Sequence, residues 1–501
     1  MSAQATTRIT YGNLSRPSRD GLLGLPMGAT LACIPFVIVV VLMLARGWIL
    51  PALLTVVVAG VMILGLVGFK RQGRSLYSRW FLRAAHAVKT RQGNHRYLSG
   101  PAGSVPDGTF SLPGILAPSK LSEHTDSFGQ RFGLIHVPST RHYTVVFEAY
   151  PDGADLVDQS RIDAQVAHWG AWLAQLGKDS GIVGASVTVE TAPDSGVRLN
   201  QMVKSNLSPD ASPFAEAVAR QLSSELAAAS PLITTRIAVT FSGKMRDGSG
   251  KDRGREQMAA EIGNRLPALL SGLRETGAGT AVRPCTAQDI VDFTRTAYDP
   301  TVATDIEQAR AENGTGLTWG QAGPVFAEDH LDMYFHDRGV SKTWQMWAAP
   351  RSMFYSETLK PLLTPVAGVL RKRATILYRP VPAGKAADAI QSELNNARWT
   401  SSQKQRPTAR QTARMRYAAK AEQEEAQGAG LVRFGMLVTL TCASAEELPR
   451  WDHDLPSLGA QAHLSLREAL GNQAVAFQAA LPLGVVLPEH TIVTAELREW
   501  L

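Results

Sequence analysis

A glycine-rich loop with two lysines follows an apolar segment and precedes a helical pattern. The loop is SGKMRDGSGKDRG, from Ser242 to Gly254. A strand, such a loop and a helix bind nucleotide phosphates in many proteins, but only with the spacing Gly-x4-Gly-Lys-Ser/Thr. Here Met245 stands where the first glycine belongs, and Asp252 stands where the hydroxyl residue belongs. The loop is therefore predicted to be an exposed connection, and a nucleotide-binding protein that uses it is an alternative hypothesis.

Histidines and carboxylates cluster in EDHLDMYFHD, residues 328–337. His330 and His336 would point to the same side of a strand, as two metal ligands must. No second ligand group with a regular spacing accompanies them, which favours a surface network instead. WDHD, residues 451–454, is predicted to be a turn or a helix cap, and the motifs of serine hydrolases and zinc proteases are absent. The sequence predicts no catalytic residue, no cofactor and no metal ligand.

Residues 398–420 contain seven basic residues and no acid, with Trp399 and Tyr417 among them. Such a stretch could bind nucleic acid or an anionic lipid. The acidic segment AEQEEAQ follows directly, and this favours an exposed helix that screens its own charge. Direct binding of nucleic acid is not predicted.

The positive charge is concentrated at one end of the chain. The net charge of the 501 residues is +7, but the first 100 residues carry twelve basic residues and a single acid. Two uncharged apolar segments lie in this region, Leu25–Ala45 and Trp48–Phe69. Each has about the 20 residues that cross ~30 Å of hydrocarbon. The sequence therefore predicts a transmembrane helical hairpin over residues 25–69.

Basic residues on both sides of this hairpin predict its orientation. Segments rich in Lys and Arg stay in the cytoplasm, so residues 1–24 are expected to be a cytoplasmic tail and both termini to be cytoplasmic. The protein is thus expected in the inner or plasma membrane as a two-pass protein. Residues 70–98 are predicted to form a basic amphipathic helix at the lipid surface. The expected flanks of the membrane anchor are Arg16, Arg19, Lys70, Arg71, Arg74 and Trp80.

Strand and helix patterns alternate after a Gly/Pro/Ser-rich linker at residues 99–118. RFGLIHV and HYTVVFEA have the pattern of paired strands, and DQSRIDAQVAHWGAWLAQLG that of an amphipathic helix. Long continuous apolar strands, which are typical of parallel sheets, are missing. The sequence predicts an α+β body over residues 119–501, with helices on a largely antiparallel sheet. A division into two related lobes, with a boundary near residues 300–320, stays open.

Several segments resemble proteins of conjugation-type secretion. GNQAVAFQAALPLGVVLP, residues 471–488, is similar to the end of the N-terminal domain of type IV secretion ATPases, where LPLG precedes the motor domain. The predicted hairpin resembles the small PrgI-like two-span subunit of the same machines. TYGNLSRPSRDGLLGLP, LPGILA, HWGAWLAQLG and SVTVETAPDSGVRL resemble a family of actinobacterial membrane proteins of integrative and conjugative elements. This resemblance covers nearly the whole chain and implies a PrgI-like subunit fused to the N-terminal domain of the ATPase, without its motor.

The resemblance implies a non-enzymatic inner-membrane scaffold that docks a separately encoded P-loop secretion ATPase. Its other expected partners are inner-membrane secretion subunits and the lipid membrane, and the scaffold is expected to be oligomeric within a complex. EccE-type subunits of type VII secretion, which are similar in WGAWLAQLG and VTVET, are the alternative family. Buried apolar side chains anchor such interfaces. The expected docking residues are Phe477, Leu481, Leu483 and Val486, and their use in completing the domain's own sheet stays open as the other interpretation.

Overall fold

A large antiparallel sheet organises the protein, as the sequence predicts for its main body. The structure is a computed structural model, and it describes residues 9–12, 14, 27–63, 72–103, 108–151, 153, 157–179, 181–208, 210–229, 231–245, 247–350, 353–402 and 409–491. The strands are β1 (Arg96–Leu98), β2 (Lys120–Thr125), β3 (Arg131–Val137), β4 (His142–Ala149), β5 (Ile182–Pro193), β6 (Pro231–Ser242), β7 (Arg283–Pro284), β8 (Phe326–Asp329), β9 (Tyr334–His336), β10 (Gly339–Ala348), β11 (Arg371–Pro380), β12 (Val432–Cys442) and β13 (Ser465–Glu468).

Helices connect these strands and cover both faces of the sheet. They are α1 (Met27–Ala45), α2 (Ile49–Ile63), α3 (Leu76–Arg91), α4 (Gln159–Lys178), α5 (Val197–Asn206), α6 (Pro213–Ala229), α7 (Arg255–Arg274), α8 (Ala287–Tyr298), α9 (Ala303–Glu312), α10 (Lys360–Leu363), α11 (Ala383–Ser402), α12 (Ala409–Ala426), α13 (Trp451–Gln461) and α14 (Gln473–Ala480).

The sheet contains the same strand arrangement twice. Its order is β1-β8-β9-β10-β12-β11-β5-β6-β4-β3-β2, so β4-β6-β5 in the first half matches β10-β12-β11 in the second. In each half a short additional strand pairs with the outermost of these three, β7 with β4 and β13 with β10. The halves meet where β5 and β11 pair antiparallel. The two halves are therefore repeats related by a pseudo-two-fold axis between β5 and β11.

The strand registers identify the position of this axis. Thr188 of β5 lies opposite Thr375 of β11, and their hydroxyl oxygens are 3.0 Å apart. If this pair lies on the axis, Pro193 at the end of β5 is equivalent to Pro380 at the end of β11, and both end their strands. Residues 299–325 connect the two repeats.

The same registers extend the equivalence to the outer strands. Glu148 of β4 becomes equivalent to Gln345 of β10 when the ladders are followed outward from the axis. Glu148 pairs with Arg283 of β7, and Gln345 pairs with Arg467 of β13. An arginine thus occupies the same place on both short strands, and the repeats agree residue by residue across three ladders.

Three apolar clusters hold the helices on the sheet. The cluster under α8 and α14 lies on one face and includes residues of both repeats, such as Tyr298 and Phe477. On the other face, α4 and α7 cover the first repeat, with Trp172 and Leu266 in the core. The second repeat is covered there by α10 and α13. The shared cluster joins the two repeats into one core.

The predicted transmembrane hairpin and the predicted two-pass membrane location are wrong. Helices α1 and α2 do pack against each other, as expected. Among the described residues, no helix combines the length and the apolar character that a membrane crossing requires. Residues 64–69 of the expected second span lie outside the described residues.

Candidate functional site

A row of alternating charges crosses one face of the sheet, from β4 of the first repeat to β11 at the edge of the second. Glu148 of β4 lies opposite Arg236 of β6, and Glu190 of β5 lies opposite Arg373 of β11. Side chains alternate along a strand, so Glu148 shares its face with Val146, two residues away, which packs in the cluster under α8. The row therefore lies on the α8 face, where apolar side chains would be expected.

Glu190 is the most strongly bound carboxylate of this row. It is 7% exposed, and it accepts hydrogen bonds from Arg371 Nη1 at 2.6 Å and from Arg373 Nε at 2.5 Å. Burial alone would raise the pKa of Glu190, but the guanidinium groups of Arg371, Arg373 and Arg236 lower it to about 2. Glu190 is therefore ionised at every physiological pH.

A second network joins the row to helices α8 and α9. Arg283 donates to Glu148 at 2.5 Å and to Asp289 at 2.8 Å, and these contacts, led by the hydrogen bond to Asp289, raise the pKa of Arg283. Arg310 of α9 donates to the other oxygen of Asp289 at 2.5 Å. Asp289 also caps α8, because it accepts from the backbone N–H of Thr286 in a capping box. The ends of three elements are thus fixed by one charge network.

These groups surround a cavity of about 510 Å³. Its walls come from the ends of β4, β5 and β6, from α5, and from α8 and α9. The charged residues that line it are Glu148, Glu190, Arg198, Arg236, Arg283, Asp292, Glu307, Arg310 and Arg371. Apolar residues, including Phe293 and Ile306, complete the walls. A pocket of this size with convergent polar groups is typical of a small-molecule site.

Three buried polar atoms in the cavity wall have no hydrogen-bond partner among the described residues: Nε of Arg236, Oδ2 of Asp292 and Nε of Arg371. Arg236 and Asp292 are 8% and 1% exposed. The guanidinium carbon of Arg236 lies 4.6 Å from the centre of the Phe293 ring, which fixes its orientation. A buried donor without a partner costs about 1–3 kcal/mol, so a ligand that accepts from Arg236 would recover this energy.

The expected docking residues lie mostly in the protein's own core. Phe477, Leu481 and Leu483 are 0–1% exposed and belong to the cluster under α8 and α14, whereas Val486 is half-buried. Between them, Gly484 has φ of +73°, and its carbonyl accepts from Thr240. These side chains complete the sheet's own packing, and a contact with a partner through them stays a prediction.

The glycine-rich loop closes on itself. Lys244 and Asp252 form an antiparallel bridge, and Arg253 donates to the carbonyl of Ser242 at 2.7 Å. Asp252 accepts from the hydroxyl of Tyr143 at 2.9 Å and lies beside the start of α7. A carboxylate at that position would repel a phosphate, so the geometry gives the nucleotide hypothesis no support.

The two histidines considered as metal ligands lie in different environments. His336 is fully buried, with its ring nitrogens 2.6 Å from the carbonyl of Tyr298 and 2.7 Å from the hydroxyl of Ser341. His330 is at the surface, 3.3 Å from Glu328. The part of the chain that the structure describes contains no group of three His, Cys, Asp or Glu side chains that could hold a metal ion. WDHD forms the first turn of α13, and its Asp452 pairs with Lys342.

The remaining predicted residues lie at the surface or outside the described part. Trp80 on α3 is 70% exposed, and Arg74 is half-buried just before this helix. In the basic segment, Trp399 on α11 is 64% exposed and Arg414 on α12 pairs with Glu393 at 2.8 Å. Arg16, Arg19, Lys70 and Arg71 lie outside the described residues.

Sequence reasoning missed the charged row and its cavity, although a signal was present. Arg236 stands inside the apolar strand pattern TTRIAVTFS, and Glu190 inside SVTVET. A charged side chain in the interior of a buried strand must have a partner, which predicts a pair but not its location. Comparison with protein-family models and with curated proteins finds no match to this chain.

Proposed function

We propose that the protein is a non-enzymatic scaffold subunit of a conjugation-like secretion apparatus, and that it docks a separately encoded P-loop ATPase. The observation that carries the proposal is an apolar stripe on the outside of α6. Phe214, Val218 and Leu222 are 79%, 38% and 52% exposed. Their spacing of four residues places them on one side of the helix. The resemblance of several segments to type IV secretion proteins supports a P-loop ATPase as the class of partner.

Helix α6 leaves its apolar stripe exposed, although its Ser223 is buried and donates to Asn200 of α5 at 2.6 Å. The polar residues Arg220, Gln221 and Glu225 of the same helix are exposed as well. A surface helix of a monomer normally turns its apolar stripe to the core and its polar side to water. Exposed apolar side chains in a continuous patch mark sites of protein interaction. The stripe therefore fits a partner that presents an apolar groove or helix.

The position of α6 in the fold also supports a docking role. The α5–α6 pair connects β5 to β6, and the α11–α12 pair makes the equivalent connection from β11 to β12. Because β5 and β11 run antiparallel, the two helix pairs leave the sheet at opposite ends. One helix pair thus lies at each end of the sheet. The α5–α6 pair of the first repeat carries the exposed apolar stripe.

Co-purification with the P-loop ATPase encoded nearest to the gene of this protein tests the proposal. We expect Phe214→Asp and Leu222→Asp each to weaken retention of the ATPase at least about tenfold, the typical effect of removing an interface anchor. Both side chains are exposed, so circular dichroism and the melting temperature should stay unchanged.

The matched control is Ala217→Asp, which puts the same charge on an exposed position of α6, about 100° around the helix from the stripe. This variant should retain the ATPase. Equal retention by all three variants would overturn docking through α6. Saturable ATP binding by the protein itself, lost in Lys251→Ala, would contradict the non-enzymatic role.

A further inference from the structure

We propose that the cavity lined by α5, α8, α9 and the sheet binds a small organic carboxylate, a single anionic group attached to an apolar body. The inference is independent of docking through α6, because the cavity lies on the α8 face and needs no partner protein. Four properties of the described residues support it: the contrast between the repeats, the unpaired guanidinium, the charge balance and the apolar wall.

The second repeat shows that the fold does not need these charges. The position of Arg236 is occupied there by Leu437, and that of Glu190 by Leu377. Leu437 is 4% exposed and packs in the shared core. An apolar side chain at this place is therefore compatible with the same sheet. Since buried charges usually stabilise a protein no better than apolar residues of similar size, the charges of the first repeat call for another explanation.

Not all N–H donors of Arg236 have a hydrogen-bond partner among the described residues. Its Nη1 donates to Thr234 at 3.3 Å, its Nη2 is 3.6 Å from Glu148, and its Nε has no partner among the described residues. Glu148 is already bound by Arg283 at 2.5 Å. A guanidinium group binds a carboxylate through two parallel N–H donors. Arg236 is thus oriented, buried and insufficiently paired in the wall of the cavity.

The charged groups around the cavity sum to a net charge of +1, from six guanidinium groups and five carboxylates. The six guanidinium groups of the network belong to Arg198, Arg236, Arg283, Arg310, Arg371 and Arg373, and the five carboxylates to Glu148, Glu190, Asp289, Asp292 and Glu307. Among the described residues Arg198 makes no ion pair, and it is exposed at the rim. A monoanion balances this set, whereas a phosphate dianion would leave excess negative charge beside the carboxylates.

The apolar part of the cavity wall predicts the second feature of the ligand, which is its apolar body. Phe293 and Ile306 are 8% and 7% exposed, and Ala192 of β5 also lines the cavity. Burying an aromatic or branched apolar group against such side chains contributes about 25 cal/mol per Å². The cavity volume of about 510 Å³ falls in the range of ordinary ligand sites. An aromatic or short aliphatic carboxylate combines both requirements.

Calorimetric titration of the full-length protein with benzoate tests this assignment. Benzamide, which has the same shape without the charge, and phenyl phosphate, which carries an additional charge, are titrated in parallel. We expect saturable binding of benzoate and at least about tenfold weaker binding of the other two, because a hydrogen bond to a charged group contributes about 1.5–3 kcal/mol. Equal affinity for benzoate and benzamide would overturn the proposal, and a preference for phenyl phosphate would overturn the carboxylate class.

Three variants, one of which is a control, locate the site. Arg198→Ala removes an exposed cation at the rim and should weaken benzoate binding about tenfold. Lys204→Ala, which removes an exposed cation from the same helix away from the cavity, should leave it unchanged. Arg236→Leu introduces the residue type of the second repeat, so it should fold and lose benzoate binding. Benzoate affinity that is the same in Arg198→Ala and Lys204→Ala as in the unaltered protein would overturn the site, whatever the folding of Arg236→Leu.

Discussion

At the scale of single residues, His336 shows how the core of the second repeat depends on a neutral imidazole. Its Nδ1–H donates to the carbonyl of Tyr298, and its Nε2 accepts from the hydroxyl of Ser341. Ser341 in turn lies 2.8 Å from the hydroxyl of Thr441. Burial lowers the pKa of His336 to about 4. Proton uptake by the folded protein would break this chain of hydrogen bonds.

We therefore predict that acid destabilises the protein through His336. The folded-state pKa of about 4 lies below the unfolded value of about 6.5. As the pH falls through 6.5 the unfolded state binds the proton first, so stability is lost between pH 6.5 and 4 and is unaffected above that range. The loss from His336 between about pH 7.5 and about pH 5 should be roughly 2 kcal/mol.

Urea unfolding of the unaltered protein and of His336→Gln at these two pH values measures this loss. The variant should be less stable at neutral pH but should lose less stability on acidification. The same pH dependence in both proteins would contradict the assignment. His142, whose pKa is also lowered to about 4 by burial, remains in both proteins and sets the common background.

Residue types alone could not predict which side chains form the candidate site. His330 and His336 attracted attention because they are six positions apart, but one is at the surface and the other is buried. Arg236 stands inside an apolar strand pattern, which predicts a partner for it, but its partners on β4 and α8 are distant in sequence. Pairing between strands depends on register, and register is a property of the whole sheet.

At the scale of elements, the segment that follows α14 passes so close to the sheet that position 484 requires a glycine. A Cβ atom on Gly484 would lie 2.0 Å from Oγ1 of Thr144 and 2.5 Å from Oγ1 of Thr240, and its φ of +73° is left-handed. We predict that Gly484→Ala costs about 2–5 kcal/mol, from backbone strain and overpacking together. Thermal or urea unfolding measures the cost.

Gly248 provides the matched control. Its φ is +79°, but a Cβ atom there would meet nothing within 4 Å. Gly248→Ala should therefore cost no more than about 1–2 kcal/mol, which is the backbone strain alone. Equal effects of the two substitutions would mean that the segment does not pack against Thr144 and Thr240 as described.

Element types were well predicted where the apolar pattern was strong. RFGLIHV and HYTVVFEA are β3 and β4, and the helix in DQSRIDAQVAHWGAWLAQLG is α4. The N-terminal hairpin was wrong because an apolar pattern measures composition, whereas no helix among the described residues combines the length and the apolar character of a membrane span. The exposure of the apolar stripe of α6 could not be predicted either, because a helical pattern in the sequence does not show which side of the helix packs against the protein.

At the scale of the whole molecule, the two repeats share one core. Tyr298 of the first repeat and Phe477 of the second have ring centroids 5.1 Å apart. We predict that neither residues 1–313 nor residues 314–501 unfold cooperatively alone, because each would expose its half of this core. Co-expressed as two chains, they should co-purify and unfold in one transition.

Circular dichroism during thermal unfolding, with the uncut protein as the reference, decides this prediction. The cut lies in a surface loop, where a Cβ atom on Gly314 would meet nothing within 4 Å. Cooperative unfolding of either half alone would show that the repeats are independent domains. The sequence suggested two related lobes but could not establish them, because equivalent positions such as Arg236 and Leu437 differ in chemical character.

The pseudo-two-fold axis affects which substitutions the protein can accumulate. In a true homodimer, a substitution near the axis appears twice, and a charge at one position must be tolerated at its symmetry mate. Here Glu190 faces Arg373, while the mate of that pair is Ser186 facing Leu377. A single chain with internal symmetry can thus acquire an ion pair on one side only. One repeat is free to specialise while the other preserves the scaffold.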